Sequence, residues 1–386
     1  MHKRSSLPAP DADALAFSQA TQALIAREIR AAGGWISFAR YMELALYAPA
    51  QGYYSGGAWK FGAQGDFITA PELTPLFGAT LARQAAEVMA CSAPQVLEVG
   101  AGSGALAASV LPMLAQLGHV PERYLILELS GELRARQAQR LAALPGDLAA
   151  RVQWLERLPE AFDGVVLGNE VLDAMPVHLA RWDEAGILER GVALDDAGGF
   201  AWRDRPAEGA VLAAAQALPV QAPYLSELPL AATAWIRQWG RVLGRGALLL
   251  VDYGFPRHEY FHPQRDQGTL MCHYRHHAHS EPFHLPGLTD ITAHVDFTGV
   301  AEAAVGAGLE LAGYTGQAQF LFNAGLLEAL AARGETDTAE YLRASNAVKM
   351  LTSPAEMGEL FKVIALTRNL PGPLAGFARG DRRHTL

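Results

Sequence analysis

Apolar residues recur at Leu15, Leu24, Ile25 and Ile29, with Arg27, Glu28 and Arg30 between them. That spacing predicts an amphipathic helix over 14–31, stopped by Gly33-Gly34. A second helix is expected over 38–46, ending before Pro49. Residues 52–65 are rich in glycine and aromatics and read as a structured loop. Thr69-Ala-Pro-Glu72 has the form of a capping box, so a helix should follow over 73–89.

From residue 95 the period changes. Short apolar runs at 96–99, 124–129, 152–155, 164–168 and 247–252 read as strands. Helical patterns at 105–117, 131–144 and 235–243 alternate with them. This alternation predicts an α/β fold with a parallel, Rossmann-like sheet covered by helices on both faces. Two later strands are expected at 309–314 and 361–368, with helical material over 319–349 inserted between them. Residues 179–203 carry short strands with glycine and aspartate turn signals, and predict a β-hairpin excursion from the sheet. The expected division is an N-terminal helical region (1–91), a core (92–318), a helical insertion (319–360) and a last strand with tail (361–386).

Composition narrows the class. Half of the 386 residues are apolar and only 18% are charged, so a large core can be buried. The formal net charge of −9 gives no general attraction for nucleic acid. The two cysteines do not make a disulfide framework, and no run is long and apolar enough to span a bilayer. A cytoplasmic protein is expected.

The chemistry concentrates at strand ends. Glu98-Val-Gly100-Ala-Gly102-Ser-Gly104 follows the first strand and opens a helix, and its glycines let a ligand approach main-chain amides. The pattern also satisfies a dinucleotide fingerprint. Glu98, two residues before the first glycine, favours S-adenosylmethionine, whose ammonium an acid would attract; a pyrophosphate would be repelled. Glu128, ending the next strand, suits ribose hydroxyls in either cofactor. Asn169, Glu170 and Asp173 follow the fourth strand, where ligands of doubly wound sheets lie. On a helical turn Glu170 and Asp173 would share a face and either clamp a guanidinium or simply be solvated, and Asn169 would either cap that turn or serve the site. Tyr253 ends the fifth strand and faces the same region.

Four strings together resemble the MidA family, bacterial relatives of the mitochondrial methyltransferase that assists complex I assembly. They are Gly65-Asp-Phe-Ile-Thr-Ala-Pro-Glu72, Glu98-Val-Gly-Ala-Gly-Ser-Gly104, Gly168-Asn-Glu-Val-Leu-Asp-Ala-Met-Pro-Val-His178 and Asp290-Ile-Thr-Ala-His-Val-Asp-Phe297. The resemblance spans Ile36 to Arg368. It implies a class I methyltransferase fold with added helices, S-adenosylmethionine as cofactor and, for the mitochondrial relative, symmetric dimethylation of a complex I arginine. Gly100, Gly102 and Gly104 match the family's cofactor turn, and Glu128 its ribose-binding acid. Asn169, Glu170 and Asp173 match the motif after the fourth strand. Ala101 stands where the family often has proline. By the same analogy the loop bearing Asp66 and Thr69 covers the cofactor; a loop and helix cap without a ligand is the alternative for each.

Eight of the 12 histidines fall between His258 and His294. His273, His276, His277 and His279 lack acidic or cysteine partners at zinc spacing, so no metal is expected. His294 and Asp296 lie in the last motif as candidates for positioning substrate, with ordinary packing the alternative for His294. The reading is a methyltransferase acting on protein arginine. A small-molecule or other-residue acceptor, a non-catalytic assembly factor and a nicotinamide-dependent oxidoreductase are the alternatives, and Glu98 argues against the last. The 319–349 segment is a candidate for homodimerisation or partner docking.

Overall fold

The computed structural model describes residues 7–56, 68–334 and 339–386. The chain divides into two compact units, each gathered from three stretches. One holds 68–173, 233–257 and the described residues of 295–386; the other holds the described residues up to 56, with 174–232 and 258–294.

The first unit is built on an eight-stranded sheet. Its first four strands in chain order are Gln95–Val99, Arg123–Leu127, Val152–Leu155 and Phe162–Asn169. Leu243–Phe255, Glu310–Gly316 and Phe361–Arg368 follow as fifth, sixth and seventh. Across the sheet they run third, second, first, fourth, fifth, seventh, sixth. The first five pair parallel, and the seventh runs antiparallel between the fifth and sixth. A two-residue strand, Val295–Asp296, adds to the end of the fifth. The order reverses between the first and fourth strands, so the ends of those two flank the crevice where such sheets take ligands.

The expected α/β fold with a Rossmann-like sheet is present, and the near-continuous apolar runs are its buried strands. Val96, Ile126, Val165, Leu167 and Leu249 join one core with Phe77 and Leu81 of helix Pro75–Cys91 and Leu106 and Val110 of helix Ala105–Gln116. Helices Gln317–Asn323, Leu326–Ala331 and Ala339–Thr352 occupy the expected insertion and contribute Phe320, Leu330 and Val348 to that core.

One local expectation is corrected. The helix after Thr69 does not run on from 73. Ala70–Leu73 is a single turn, Thr69 makes no side-chain cap bond, and Thr74 at φ −164°, ψ 141° interrupts the helix. Pro75 is the cause, because its ring excludes helical backbone at the preceding residue. Thr74 then caps the longer helix, its hydroxyl accepting from the Leu76 amide at 3.3 Å. Glu72, freed from a capping box, turns elsewhere.

In the second unit the excursion at 179–203 is larger than a hairpin. His178–Asp183, Gly186–Leu194 and Phe200–Pro206 form a five-stranded antiparallel sheet with Tyr224–Leu228 and Ile36–Ser37. Helices Ala12–Ala31 and Phe38–Tyr47 pack Ile25, Ile29, Phe38 and Met42 into one core with Leu179, Val192 and Ile291. Part of the histidine-rich segment is itself a sheet, Met271–Tyr274 pairing with His277–His279 and Asp290–Thr292.

Candidate active site

The glycine turn leaves the first strand with Gly100, Gly102 and Gly104 at φ +67°, +52° and +82°. Three left-handed residues in five demand residues without a Cβ. Gly104 begins the helix Ala105–Gln116. A Cβ on Gly100 would stand 3.1 Å from Val171 Cγ2, so the turn packs directly on the segment after the fourth strand.

Beneath the turn, Glu98 is 2% exposed and accepts the Tyr124 hydroxyl at 2.5 Å. Burial pushes its carboxyl up to about 7; the Tyr124 bond opposes this and nearby Glu128 adds to it. Glu128, the residue after the second strand, sits in a network. One oxygen accepts the Ser130 amide at 2.8 Å, and the other accepts Gln137 Nε2 at 3.1 Å. Burial also raises its carboxyl, against those hydrogen bonds.

Gln137 was not expected from the sequence. It is fully buried, donates to the Gly102 carbonyl at 2.9 Å as well as to Glu128, and accepts the Trp154 indole N–H at 2.8 Å. One amide thus ties the glycine turn, the acid of the second strand and the third strand together. A signal did exist. Leu133, Gln137 and Leu141 are the buried face of helix Gly131–Leu141, and a polar residue on an apolar stripe needs buried partners.

The turn is braced from outside too. Ser103 donates to Glu72, and Arg140 Nη1 reaches Glu72 at 2.8 Å and Ser103 Oγ at 2.5 Å. Burial works to raise the Glu72 carboxyl, but the Arg140 and Ser103 bonds prevail and hold it below its ordinary value. Thr69 is in the same unit, three residues before Glu72; Asp66 lies outside the described residues.

The acidic segment departs from expectation. No helix begins after the fourth strand. Asn169 is its last residue, and Glu170 is left-handed at φ +54°. The two acids therefore do not share a helical face, and Asn169 caps nothing. Instead Asn169 Nδ2 donates to Glu170 Oε1 at 2.8 Å, and Asn169 Oδ1 is buried with no hydrogen-bond donor among the described residues. Tyr253 donates its hydroxyl to Asp173 Oδ2 at 2.6 Å. Asp252, which the sequence showed only as the end of an apolar strand, is 1% exposed and accepts the amides of Val171, Leu172 and Asp173 on one oxygen.

Asp296 has its own ion-pair partner. The Asp296 carboxylate is 4% exposed and holds Arg257 at 3.2 Å, which in turn pairs with Glu302 at 2.7 Å. Burial raises the Asp296 carboxyl and Arg257 pulls it back. His294 belongs to the other unit, where its amide donates to Thr269 Oγ1 at 3.0 Å. Among the described residues no cluster of three metal-ligating side chains occurs.

A family model described as putative S-adenosyl-L-methionine-dependent methyltransferase matches residues 80–315, which contain the glycine turn and the acidic segment. The chain belongs to this methyltransferase family. A mitochondrial protein arginine methyltransferase NDUFAF7 homolog of Drosophila melanogaster is 30% identical to the methyltransferase over 412 residues, 95% of this chain and 90% of that protein. Protein arginine methyltransferase NDUFAF7 of Mus musculus is 31% identical over 366 residues, 86% and 81% of the two chains. Among solved structures, a Burkholderia thailandensis protein bound to S-adenosyl-homocysteine is 56% identical, with a TM-score of 0.95 over 99% of this chain and all of that one. The MidA-type resemblance of the four motifs and the S-adenosylmethionine dependence it implies are thereby supported. The methyltransferase's own residues fit such a donor: a turn with glycine at its three left-handed positions, a buried acid in the strand before it and a second acid at the next strand end.

Proposed function

We propose that this methyltransferase methylates arginine side chains of a protein, with the acceptor held by the segment 169–173. The observation that carries this reading is the character of that segment. Asn169 Oδ1 is buried without a hydrogen-bond donor among the described residues, and Glu170 and Asp173 add two carboxylates to the same short segment, which packs against the glycine turn through Val171. A guanidinium is a planar, permanently charged set of five donors, and an acceptor-rich site is its complement. The names of the relatives at about 30% identity point the same way.

When bound, S-adenosylmethionine supplies an electrophilic methyl group on a sulfonium. In this reading Gly100, Gly102 and Gly104 give it main-chain amides, Glu128 receives ribose hydroxyls and Glu98 faces its ammonium. Glu170 holds the acceptor guanidinium and orients one nitrogen; Asp173, itself gripped by Tyr253, assists. The positioning of reactants supplies most of what such a displacement needs. A carboxylate of the pair accepts the proton released as the nitrogen is alkylated. His294 and Asp296 are kept as substrate-positioning candidates, with Asp296 acting through Arg257. A role in complex I assembly and a cytoplasmic site of action belong to the same proposal.

Purified enzyme is incubated with S-adenosylmethionine labelled in the methyl group and the protein fraction of cells lacking it. Labelled methylarginine after acid hydrolysis is the expected result. Label confined to small solutes, or to another residue, would overturn the arginine assignment.

A further inference from the structure

We infer that Asp252 and Tyr253, the paired residues near the end of the fifth strand, are positioning residues that set the geometry of Glu170 and Asp173 for methyl transfer. The inference rests on the assignment of segment 169–173 to the acceptor.

Three successive amides converge on one oxygen. Asp252 Oδ2 accepts from Val171 at 3.1 Å, Leu172 at 2.8 Å and Asp173 at 3.3 Å, and Oδ1 accepts from Tyr253 at 2.9 Å. Consecutive N–H groups aimed at one point make a concavity that suits an acceptor oxygen. The residue immediately before them, Glu170, has a left-handed φ of +54°. A side chain with a Cβ resists that conformation, so it persists only where the surroundings impose it. They do so from two sides: the Glu170 amide donates to the Val251 carbonyl at 2.8 Å, and the three following amides are held by the Asp252 carboxylate.

The next residue of the same strand acts on a side chain. The Tyr253 hydroxyl meets Asp173 Oδ2 at 2.6 Å, and the Tyr253 ring is wedged edge-on against Phe361 at 5.3 Å. Backbone and carboxylate of the acidic segment are thus gripped by neighbours in one strand, and that strand is sheeted between the fourth and the seventh. A site built on a strand is held more closely than one carried by its own loop.

Burying a third carboxylate beside two others is a poor way to secure a loop of no consequence. Burial, then Asp173, then Glu170 push the Asp252 carboxyl well above its usual range. A neutral acceptor would satisfy a single amide at lower electrostatic cost. One side-chain oxygen, Oδ2, instead collects three converging amide dipoles, which is what fixing this conformation requires.

The test compares Asp252→Asn, Tyr253→Phe and Glu170→Gln in the full-length enzyme, with labelled S-adenosylmethionine and the protein fraction used above. S-adenosyl-homocysteine binding by calorimetry runs in parallel. Asp252→Asn and Tyr253→Phe are expected to lower kcat by about tenfold or more while KM for the donor and product affinity move by less than about threefold. Unchanged kcat in both variants would overturn the inference. So would a loss of product affinity in step with rate, which marks a general structural defect. Tyr253→Phe removes one hydroxyl and keeps the test open if Asp252→Asn fails to fold. Normal turnover in Glu170→Gln would remove the acceptor assignment itself, whereas loss there with normal kcat in the other two removes only the inference.

Discussion

Tyr124 donates its hydroxyl to Glu98 inside the sheet at 2.5 Å, and Glu98 nevertheless stays high, at about 7. An acid raised to that value is only partly ionised near neutrality. If the donor's ammonium faces Glu98 as proposed, it favours the ionised form and binding draws a proton off this acid. Affinity should therefore strengthen as pH rises across the unit either side of 7, with proton release on binding in the same window. Calorimetry with S-adenosyl-homocysteine in buffers of different ionisation enthalpy measures both. Glu98→Gln should flatten the profile; a flat profile in the unaltered enzyme would separate Glu98 from the ammonium.

Gln137 offers a test of how the cofactor platform is held. Gln137→Leu matches its bulk but strands the Trp154 N–H, the Gly102 carbonyl and a Glu128 oxygen. Leaving buried polar groups unmatched costs about 1–3 kcal/mol each, so a lower denaturant midpoint and about tenfold weaker S-adenosyl-homocysteine binding are expected. Wild-type affinity in a destabilised variant would confine Gln137 to the fold.

Gly100→Ala probes the close approach of the turn to the acidic segment. A Cβ there meets Val171 at 3.1 Å at a φ of +67°. The left-handed conformation alone costs about 1–2 kcal/mol for a residue with a Cβ. Reduced stability in thermal melts should accompany weakened product binding, because in the proposed reading the strained turn also supplies the donor's amides. Unaltered binding would show that the turn tolerates displacement.

Thr74→Ala addresses the helix start that Pro75 created. Removing the hydroxyl that accepts the Leu76 amide should cost about 1 kcal/mol, read from chemical denaturation. Thr69→Ala should cost far less, since Thr69 makes no side-chain cap bond. The reverse ranking would restore the capping-box reading.

The strands and helices of the sheet unit were legible because local patterning decides them. The last strand stands at 361–368 as expected, and the helix after the glycine turn ends at 116 instead of 117. Burial on both faces makes a strand a continuous apolar run whatever its neighbours are. The glycine turn was equally plain, since positive φ restricts residue type at the position itself. The acidic segment was legible as composition but not as shape. Nothing within 169–173 announces that Glu170 turns left-handed, because the groups imposing it lie some 80 residues away at Val251 and Asp252.

By itself the sequence determined the strand–helix alternation, the glycine turn, the acids at the ends of the first, second and fourth strands, and hence the kind of ligand sought. Tertiary structure alone decided which polar groups meet. It set Tyr124 on Glu98, Gln137 between the glycine turn and Glu128, Glu72 on Arg140 instead of a helix end, and Asp252 under the three amides after Glu170. The physical reason is range. Periodicity and φ preference act within a turn or a strand, whereas a buried hydrogen bond joins residues whose separation along the chain leaves no mark on either neighbourhood.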